Sequence, residues 1–147
     1  AVYHALFYLE TKAKDRKLAL PLGKKDCGDA NCASDLEGLV SGKTLEMIHA
    51  NVEGFEALFQ GGEGIGFDDL LEDLGHGDLN PLILEASAKV KSTIQAFEGD
   101  LYDDIVNEGG QGLELLNIFS ELTGYVKHDL STVLNLDVPT EAAGDND

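Results

Sequence analysis

The residues able to do chemistry in this 147-residue chain are two cysteines, four histidines and several clusters of carboxylates. Cys27 and Cys32 are separated by four residues, 28–31, which form a flexible polar turn that lets the two sulfurs meet. A disulfide is the leading interpretation, with two free thiols second. A metal site comes third, because no second cysteine pair and no nearby histidine would complete a zinc ligand set. A disulfide would indicate an oxidising compartment such as a periplasm or the cell exterior.

None of the histidines stands in a His-x-x-x-His or Glu-x-x-His arrangement, the spacings that bring two metal ligands to one face of a helix. His49 and Glu53 are four positions apart, which allows either metal ligation or a surface contact. The surface contact is the expected one, because Glu and His often meet at this spacing by chance. His76 lies between two glycines and is expected in a loop, whereas His128 is expected near a helix carboxyl end, where the dipole favours a cation.

The carboxylates cluster at Asp68–Asp73 and at Asp103–Asp104. Neither cluster matches the EF-hand loop, which needs oxygen ligands at alternating positions around a central glycine, so both predict only a general attraction for divalent cations. The oxygen-rich run from Asp26 to Asn31 is explained equally well by a tight polar turn. The chain also lacks a Gly-x-Ser-x-Gly elbow, a phosphate-binding glycine loop and an HExxH motif. The residues therefore give no direct support for hydrolytic catalysis.

Acidic residues dominate the composition: 28 Asp and Glu against ten Lys and Arg give a formal net charge of −18. Such a charge repels phosphate backbones and anionic membrane surfaces, so nucleic acid is not an expected partner. The simplest interpretation is a solvated acidic surface. The sequence shows no apolar run long enough to span a bilayer and no signal-peptide pattern. Because it opens at Ala1 directly within a helical pattern, we expect a processed product, a shortened chain or a piece of a longer protein.

Helices are expected to position these groups, because apolar residues recur at three- and four-residue spacing along most of the chain. Four long helices are predicted. The first starts at the amino terminus (Val2, Leu6, Leu9, Ala13) and ends in a turn at Lys17–Gly23, and the second covers 43–60 after a cap at Ser41 and Gly42. The third runs from Asn80-Pro81 to about Asn107, and the fourth from about Leu113 to before Pro139. The 43–60 helix carries one apolar face: Leu45, Ile48, Val52, Phe55 and Phe59. A short helix is expected over 67–74. No run alternates with a period of two, so no strand is predicted.

The predicted fold is all-α: an up-and-down four-helix bundle with one short extra helix, because short loops make successive helices antiparallel. The exception is the long connector from Lys17 to Leu45, which joins the first two helices and holds both cysteines. Residues 1–147 are expected to form a single domain, since the chain is too short for two full cores. The polar tail, 137–147, is expected to be frayed.

Four blocks resemble, in their order and spacing, the second half of imelysin-like proteins. They are KLALPLG (Lys17–Gly23), LVSGKTLEMIHANVEGFEALFQG (Leu39–Gly61), IGFDDLLEDLG (Ile65–Gly75) and VKHDLSTVLNLDVP (Val126–Pro139). That family includes bacterial imelysin peptidases and iron-regulated envelope proteins. The resemblance covers nearly the whole chain and implies an all-helical protein of two bundle-like halves, with a functional site where the halves meet.

The family signature, Gly-x-His-x-x-Glu, belongs to the first half and does not occur in this chain. The resemblance therefore implies a carboxyl-terminal companion half that is not catalytic by itself. Two positions carry over: Ser41, at the start of the second helix, and Asn51, on its edge, are expected to face the missing amino-terminal half. The simpler roles are an ordinary cap for Ser41 and an amide bonded within the bundle for Asn51.

The resemblance also implies where the protein acts. It predicts a bacterial periplasmic or outer-envelope protein, with any membrane anchor supplied by a segment outside this chain, that takes part in uptake of iron or another divalent metal held by the complete protein. The expected partner is the missing amino-terminal half or another envelope protein. Two alternatives stay open: a stand-alone protein-interaction module and an imelysin-type peptidase domain. A free-standing metalloenzyme would need ligands that the sequence does not display.

Overall fold

The computed structural model describes residues 2–143, and every regular element in that range is helical. The all-α prediction is therefore confirmed for the described residues, which contain no strand. The elements, in chain order, are a 3₁₀ turn Val2–Ala5, the amino-terminal π-helix Leu9–Ala19, a 3₁₀ turn Ala33–Asp35, α1 Thr44–Phe59, α2 Phe67–Asp73, α3 Leu79–Gln95, α4 Leu101–Val106, α5 Gln111–Gly124, the carboxyl-terminal π-helix Tyr125–Leu130, α6 Ser131–Val133 and α7 Thr140–Ala143.

The first predicted helix is present only from Leu9, as a π-helix, and the start of the predicted span, Val2–Ala5, is a 3₁₀ turn. Its backbone N–H groups bond to carbonyls five residues back, as Leu20 N does to Asp15 O at 2.8 Å. Because of this pitch, residues four and five positions apart share a face, and that face buries Leu9, Ala13 and Leu18. Most π-helical segments are single turns, and many lie at functional sites. The 11-residue π-helix therefore makes this part of the fold a candidate functional region.

Helix α1 confirms the predicted apolar face but not the predicted cap. The residue before α1 is Lys43, and no side chain caps the helix. The Ser41 hydroxyl instead donates to Gly38 O at 3.0 Å within the preceding turn, and Gly42 adopts a positive φ of 63° there. The capping role predicted for Ser41 and Gly42 is therefore wrong. The apolar face is buried or partly buried: Leu45, Ile48, Val52, Phe55 and Phe59.

The helix predicted from Asn80 to about Asn107 is two helices. It is interrupted after α3, because Gly99 takes a left-handed turn with φ of 82° and Asp100 then caps α4 by accepting from Tyr102 N at 2.8 Å. The predicted cap at Asn80 is also wrong, since α3 already begins at Leu79. The Asn80 amide instead donates to Asp68 O at 3.1 Å and ties α3 to α2.

The last predicted helix changes type along its length, from α5 to the carboxyl-terminal π-helix and then to α6. It ends at Asn135, which has a positive φ of 49°, and Leu136 N donates back to Ser131 O at 2.8 Å. Within the tail predicted to be frayed, residues 140–143 form α7, and Ala142 is fully buried. The rest of that tail, 144–147, lies outside the described residues.

Four helical segments surround one continuous apolar core. Both α1 and α5 contact the amino-terminal π-helix, and both contact α3, so the contacts form a closed ring of four segments. Helix α2 packs against α1 and α3 at one end, while α7 packs against the amino-terminal π-helix. Among the helices of residues 2–143, none combines the length and the apolar character that a membrane crossing requires.

Candidate functional site

A cluster of buried charges links the two π-helices. The side chains of Glu10 and Lys14 are each only 3% exposed, and that of Lys127 is 7% exposed. Glu10 Oε1 lies 3.0 Å from Lys14 Nζ and 3.8 Å from Lys127 Nζ, so one carboxylate lies near two ammonium groups. Buried charges are costly unless they are paired. The contact between Glu10 and Lys127 is therefore a specific ionic link between the two π-helices.

Asp15 extends the cluster towards the surface. Its Oδ2 accepts a hydrogen bond from Lys25 Nζ at 2.7 Å, and its Oδ1 lies 3.5 Å from Lys14 Nζ. Burial raises the pKa of the Asp15 carboxyl above its ordinary value, against the opposing effects of the Lys25 hydrogen bond and the Lys14 charge. We call Glu10, Lys14, Asp15 and Lys127 the buried charge cluster.

A second ion pair joins the same π-helix to the connector. Lys17 Nζ lies 2.7 Å from Glu37 Oε2, and the Lys17 side chain is buried while Glu37 is partly exposed. The pair anchors the segment that leads to Ser41 and α1. Two basic side chains of the amino-terminal π-helix are therefore buried: Lys14 against carboxylates of the same helix and Lys17 against Glu37 of the connector.

An open cavity of about 610 Å³ adjoins the buried charge cluster. Its walls carry cationic and anionic side chains together: Lys12, Arg16 and Lys25, with Asp15, Asp26, Asp35 and Glu141. Leu20 is the one large apolar side chain among its lining residues. A cavity of this composition suits a polar, charged group and offers little to an apolar one.

The basic residues are unevenly distributed along the chain, which the net charge alone does not show. Six of the ten Lys and Arg lie between Lys12 and Lys25, in a chain whose overall charge is −18. A solvated acidic surface, the interpretation based on composition, does not account for so local a basic segment. Charge plotted along the chain would have found it, but its burial depends on the π-helical pitch and on contacts with distant residues.

The structure places Ser41 and Asn51 apart. Ser41 is exposed in the turn before α1, whereas Asn51 lies on α1, about 10 Å further along the helix axis than Thr44. The Asn51 Oδ1 atom is buried and accepts no hydrogen bond among the described residues. The two residues therefore share a helix and its approach but do not form one compact site.

The predicted disulfide is confirmed. Cys27 and Cys32 are bonded with an S–S distance of 2.05 Å and a Cα–Cα distance of 6.0 Å. The turn between them is local, and the Asn31 carboxamide oxygen accepts from Ala33 N at 3.3 Å at its end. The pair closes a small loop of the connector, and residues of that loop, Ala30 and Asn31, line a cavity together with Ile105 of α4 and Leu113 near the start of α5.

The other residues singled out by type have structural roles. His49 Nδ1 lies 3.6 Å from Glu53 Oε2, which is the surface contact expected from their spacing. Asp69 Oδ2 accepts from Gly66 N at 2.9 Å at the start of α2. Among residues 2–143, no group of three or more His, Cys, Asp or Glu side chains is placed to hold a metal ion. The described residues therefore do not by themselves supply a three-ligand metal site.

Asp104 has a role that the sequence interpretation missed. Its side chain is buried and accepts from Gly112 N at 2.8 Å and from Gln111 N at 3.2 Å, at the amino terminus of α5. A carboxylate in this position satisfies unpaired N–H groups and interacts favourably with the helix dipole. The interpretation of Asp103–Asp104 as a general attractor of cations therefore does not describe Asp104, which stabilises α5.

Comparison of the chain with protein-family models, with curated protein sequences and with solved structures gives no match. The imelysin-like resemblance accordingly stays a prediction from the sequence blocks. The structure contributes the buried charge cluster, the polar cavity beside it, and the positions of Ser41 and Asn51.

Proposed function

We propose that the chain is the carboxyl-terminal helical half of an imelysin-like bacterial envelope protein that takes part in uptake of iron or another divalent metal. In this proposal the chain is not catalytic by itself, and an amino-terminal half with the Gly-x-His-x-x-Glu motif completes the site. The order and spacing of the four resembling blocks support the proposal. The disulfide supports the periplasmic or outer-envelope location, because such bonds persist in oxidising compartments.

The proposal includes an up-and-down four-helix bundle as the architecture of this half. The ring of contacts among the amino-terminal π-helix, α1, α3 and α5 supports that arrangement. The two π-helical segments and the break between α3 and α4 are then local departures within a bundle. In this proposal the long connector lets the chain pass from the first bundle segment to the second.

The observation that carries the half-protein proposal is an exposed apolar surface beside Ser41. Val40 is fully exposed, and Leu39 and Met47 are also exposed. Met47 Sδ and Ser41 Oγ both lie within 3.4 Å of the position that a Cβ on Gly38 would take, so the turn and α1 form one surface. Adjoining apolar side chains exposed in this way mark protein contacts. We call Leu39, Val40, Ser41 and Met47 the Val40 surface and propose that the other half docks there.

The reading frame that encodes Ala1 provides the first test. The expected result is a continuous upstream segment that encodes a helix with the Gly-x-His-x-x-Glu motif. A frame that begins close to Ala1, or an upstream segment without that motif, contradicts the half-protein proposal.

Association of the two halves provides the second test. The upstream half is expressed separately, and its association with this chain is measured by isothermal titration calorimetry. Val40→Asp is expected to weaken association by about tenfold or more, because it places a charge in an apolar contact. Ile65→Asp is the matched control, since Ile65 is also highly exposed but follows the opposite end of α1. Unchanged association of the Val40→Asp chain would exclude the Val40 surface as the interface.

Peptidase activity is tested on the isolated chain. Incubation of the protease-free chain with casein is expected to give no cleavage products. The proposal would be overturned by cleavage that is lost in Ser41→Ala or Asn51→Ala, because this half would then carry catalytic residues. Circular dichroism checks that both variants keep the fold.

A further inference from the structure

An apolar cleft lies between the carboxyl end of α1 and the start of α2. It has a volume of about 340 Å³ and is lined mainly by apolar side chains: Ala57, Leu58, Ile65, Phe67 and Leu70. Ile65 is 81% exposed and Leu70 is 41% exposed. The exposed side chains of Leu74, on the next turn after α2, and of Leu82, on α3, add to the apolar surface of this end of the molecule. We call the space lined by these α1 and α2 residues the α2 cleft.

The loop that presents Ile65 is held in one conformation by glycines. Gly61 has a φ of 69°, and a Cβ there would lie 2.4 Å from Gly66 N. A Cβ on Gly66 would lie 2.5 Å from Phe59 O, and Gly66 N donates to Asp69 Oδ2 at 2.9 Å. Close backbone approach on both sides therefore fixes the loop against the end of α1. Ile65 is held on the outside in a preorganised position, which lowers the entropy cost of binding.

The charges around the α2 cleft have a single sign. No Lys or Arg occurs between Lys43 and Lys89, whereas ten Asp and Glu do. This stretch contains α1, α2 and the first part of α3. Lys91, just beyond it, pairs with Glu56 at 2.6 Å. Glu63 is exposed in the loop that lines the cleft, and Glu72 and Asp73 are exposed on α2, so the elements that form the apolar surface also carry negative charge.

We propose that the α2 cleft binds a basic amphipathic helix of another protein. The apolar face of that helix packs on Ile65 and Leu70, and its Lys and Arg side chains face the surrounding carboxylates, in the helix-in-groove mode of recognition. The acidic border repels an anionic membrane. A second copy of this chain would bring two acidic borders together, which costs electrostatic energy. The inference goes beyond the proposed function and does not depend on it, since the Val40 surface lies at the other end of α1.

A designed peptide tests the proposal. The probe is a fluorescein-labelled helix of about 18 residues with leucine at i, i+3, i+4 and i+7 positions and lysine elsewhere. Binding to the full chain is followed by fluorescence anisotropy, and binding that weakens as salt increases is expected. Two controls are a peptide with glutamate in place of lysine and a scrambled peptide of the same composition, which retains charge but has no apolar face. Equal binding of the scrambled peptide would overturn the proposal in favour of general charge attraction.

Paired variants locate the binding surface. Ile65→Ser with Leu70→Ser removes the two exposed anchors and is expected to weaken peptide binding by about tenfold or more. Val40→Ser with Leu113→Ser is the matched control, because these side chains have comparable exposure elsewhere on the molecule, and it is expected to change affinity less than about twofold. Circular dichroism checks that both variants keep the fold. Equal affinity of the two variants would overturn the proposal.

The oligomeric state supplies a further outcome. Sedimentation of the wild-type chain is expected to show a monomer whose molar mass the Ile65→Ser, Leu70→Ser variant does not change. A wild-type dimer that this variant dissociates would identify a second copy of the chain as the occupant of the cleft and would overturn the proposal. Neither outcome affects the test of the two halves, which uses the Val40 surface.

Discussion

The amino-terminal π-helix and the α1–α2 region carry charge in opposite ways. In the π-helix and the turn after it, six of the ten basic residues occur together; Lys14 is buried against Glu10 and Asp15, and Lys17 is buried against Glu37. Between Lys43 and Lys89 there is no basic residue, and exposed carboxylates lie beside exposed apolar side chains. Buried charge must be paired within the chain, so it specifies internal contacts. Exposed charge of one sign beside an apolar cleft can instead complement the opposite charge of a binding partner.

The α2 cleft lies within the acidic stretch, whereas the Val40 surface lies at its start, with Val40 before Lys43 and Met47 after it. The Val40 surface precedes α1 and the α2 cleft follows it, so about 24 Å of helix separates them. Their separation allows two partners to bind at the same time. The buried charge cluster, by contrast, holds together parts of the same chain, and only its adjoining cavity opens to solvent.

The largest expected effect comes from breaking the buried charge cluster. Glu10→Ala removes the carboxylate that lies near Lys14 and Lys127, and we expect a loss of about 3–5 kcal/mol in the free energy of unfolding. Glu53→Ala, an exposed carboxylate of α1, is the matched control and is expected to change it by less than about 0.5 kcal/mol. Urea unfolding followed by circular dichroism measures both. Similar small effects of the two substitutions would show that burial of Glu10 has little energetic consequence.

A second large effect is expected in the acidic region, where geometry and not charge is decisive. Gly61→Ala introduces a Cβ at a positive φ and within 2.4 Å of Gly66 N, so we expect a loss of about 3 kcal/mol. Gly62→Ala has a positive φ but no atom within 4 Å of the new Cβ, and about 1 kcal/mol is expected. Thermal unfolding of the pair measures the difference. Equal losses would mean that the loop moves to accommodate the methyl group.

Much of the fold could be predicted from the sequence because apolar spacing directly encodes a helical face. The face of α1 from Ile48 to Phe59 is buried as that spacing requires. The spacing does not distinguish an α-helix from a π-helix, since residues four apart share a face in both. The spacing also does not predict the break at Gly99. There the backbone conformation and the Asp100 cap separate two helices, although the pattern of apolar residues continues to Ile105.

The candidate sites were less predictable because they depend on distant residues. Cys27 and Cys32 were paired from local spacing alone. The pairing of Glu10 with Lys127 joins opposite ends of the chain, and no local pattern announces it. Ser41 has the residue type of a cap, but its hydroxyl bonds within the preceding turn because the chain already turns at Gly38. The exposure of Ile65 likewise depends on the backbone approach at Gly61 and Gly66.

The disulfide connects the two compared regions, because its loop lies between the π-helix and α1. Replacing both cysteines by serine is expected to lower the free energy of unfolding by about 2 kcal/mol, since a short closed loop restricts the unfolded chain. The effect should be smaller than that of Glu10→Ala, which disturbs a buried contact. Thiol counting under denaturing, non-reducing conditions is expected to detect no free thiol in the wild-type chain. Two free thiols would remove both the stabilising loop and its support for an envelope location.

The smallest expected effect is a pH dependence centred on Asp15. Burial raises its pKa in the folded chain, so the folded state holds the proton more tightly than the unfolded state does. The contribution of Asp15 to stability is therefore fully present below the unfolded pKa and declines as the pH rises through the raised folded pKa. Urea unfolding across the acidic range is expected to lose this decline in Asp15→Asn and to retain it in Glu53→Gln, an exposed control. An unchanged pH dependence in Asp15→Asn would show that the Lys25 and Lys14 interactions fully offset the effect of burial on the Asp15 carboxyl.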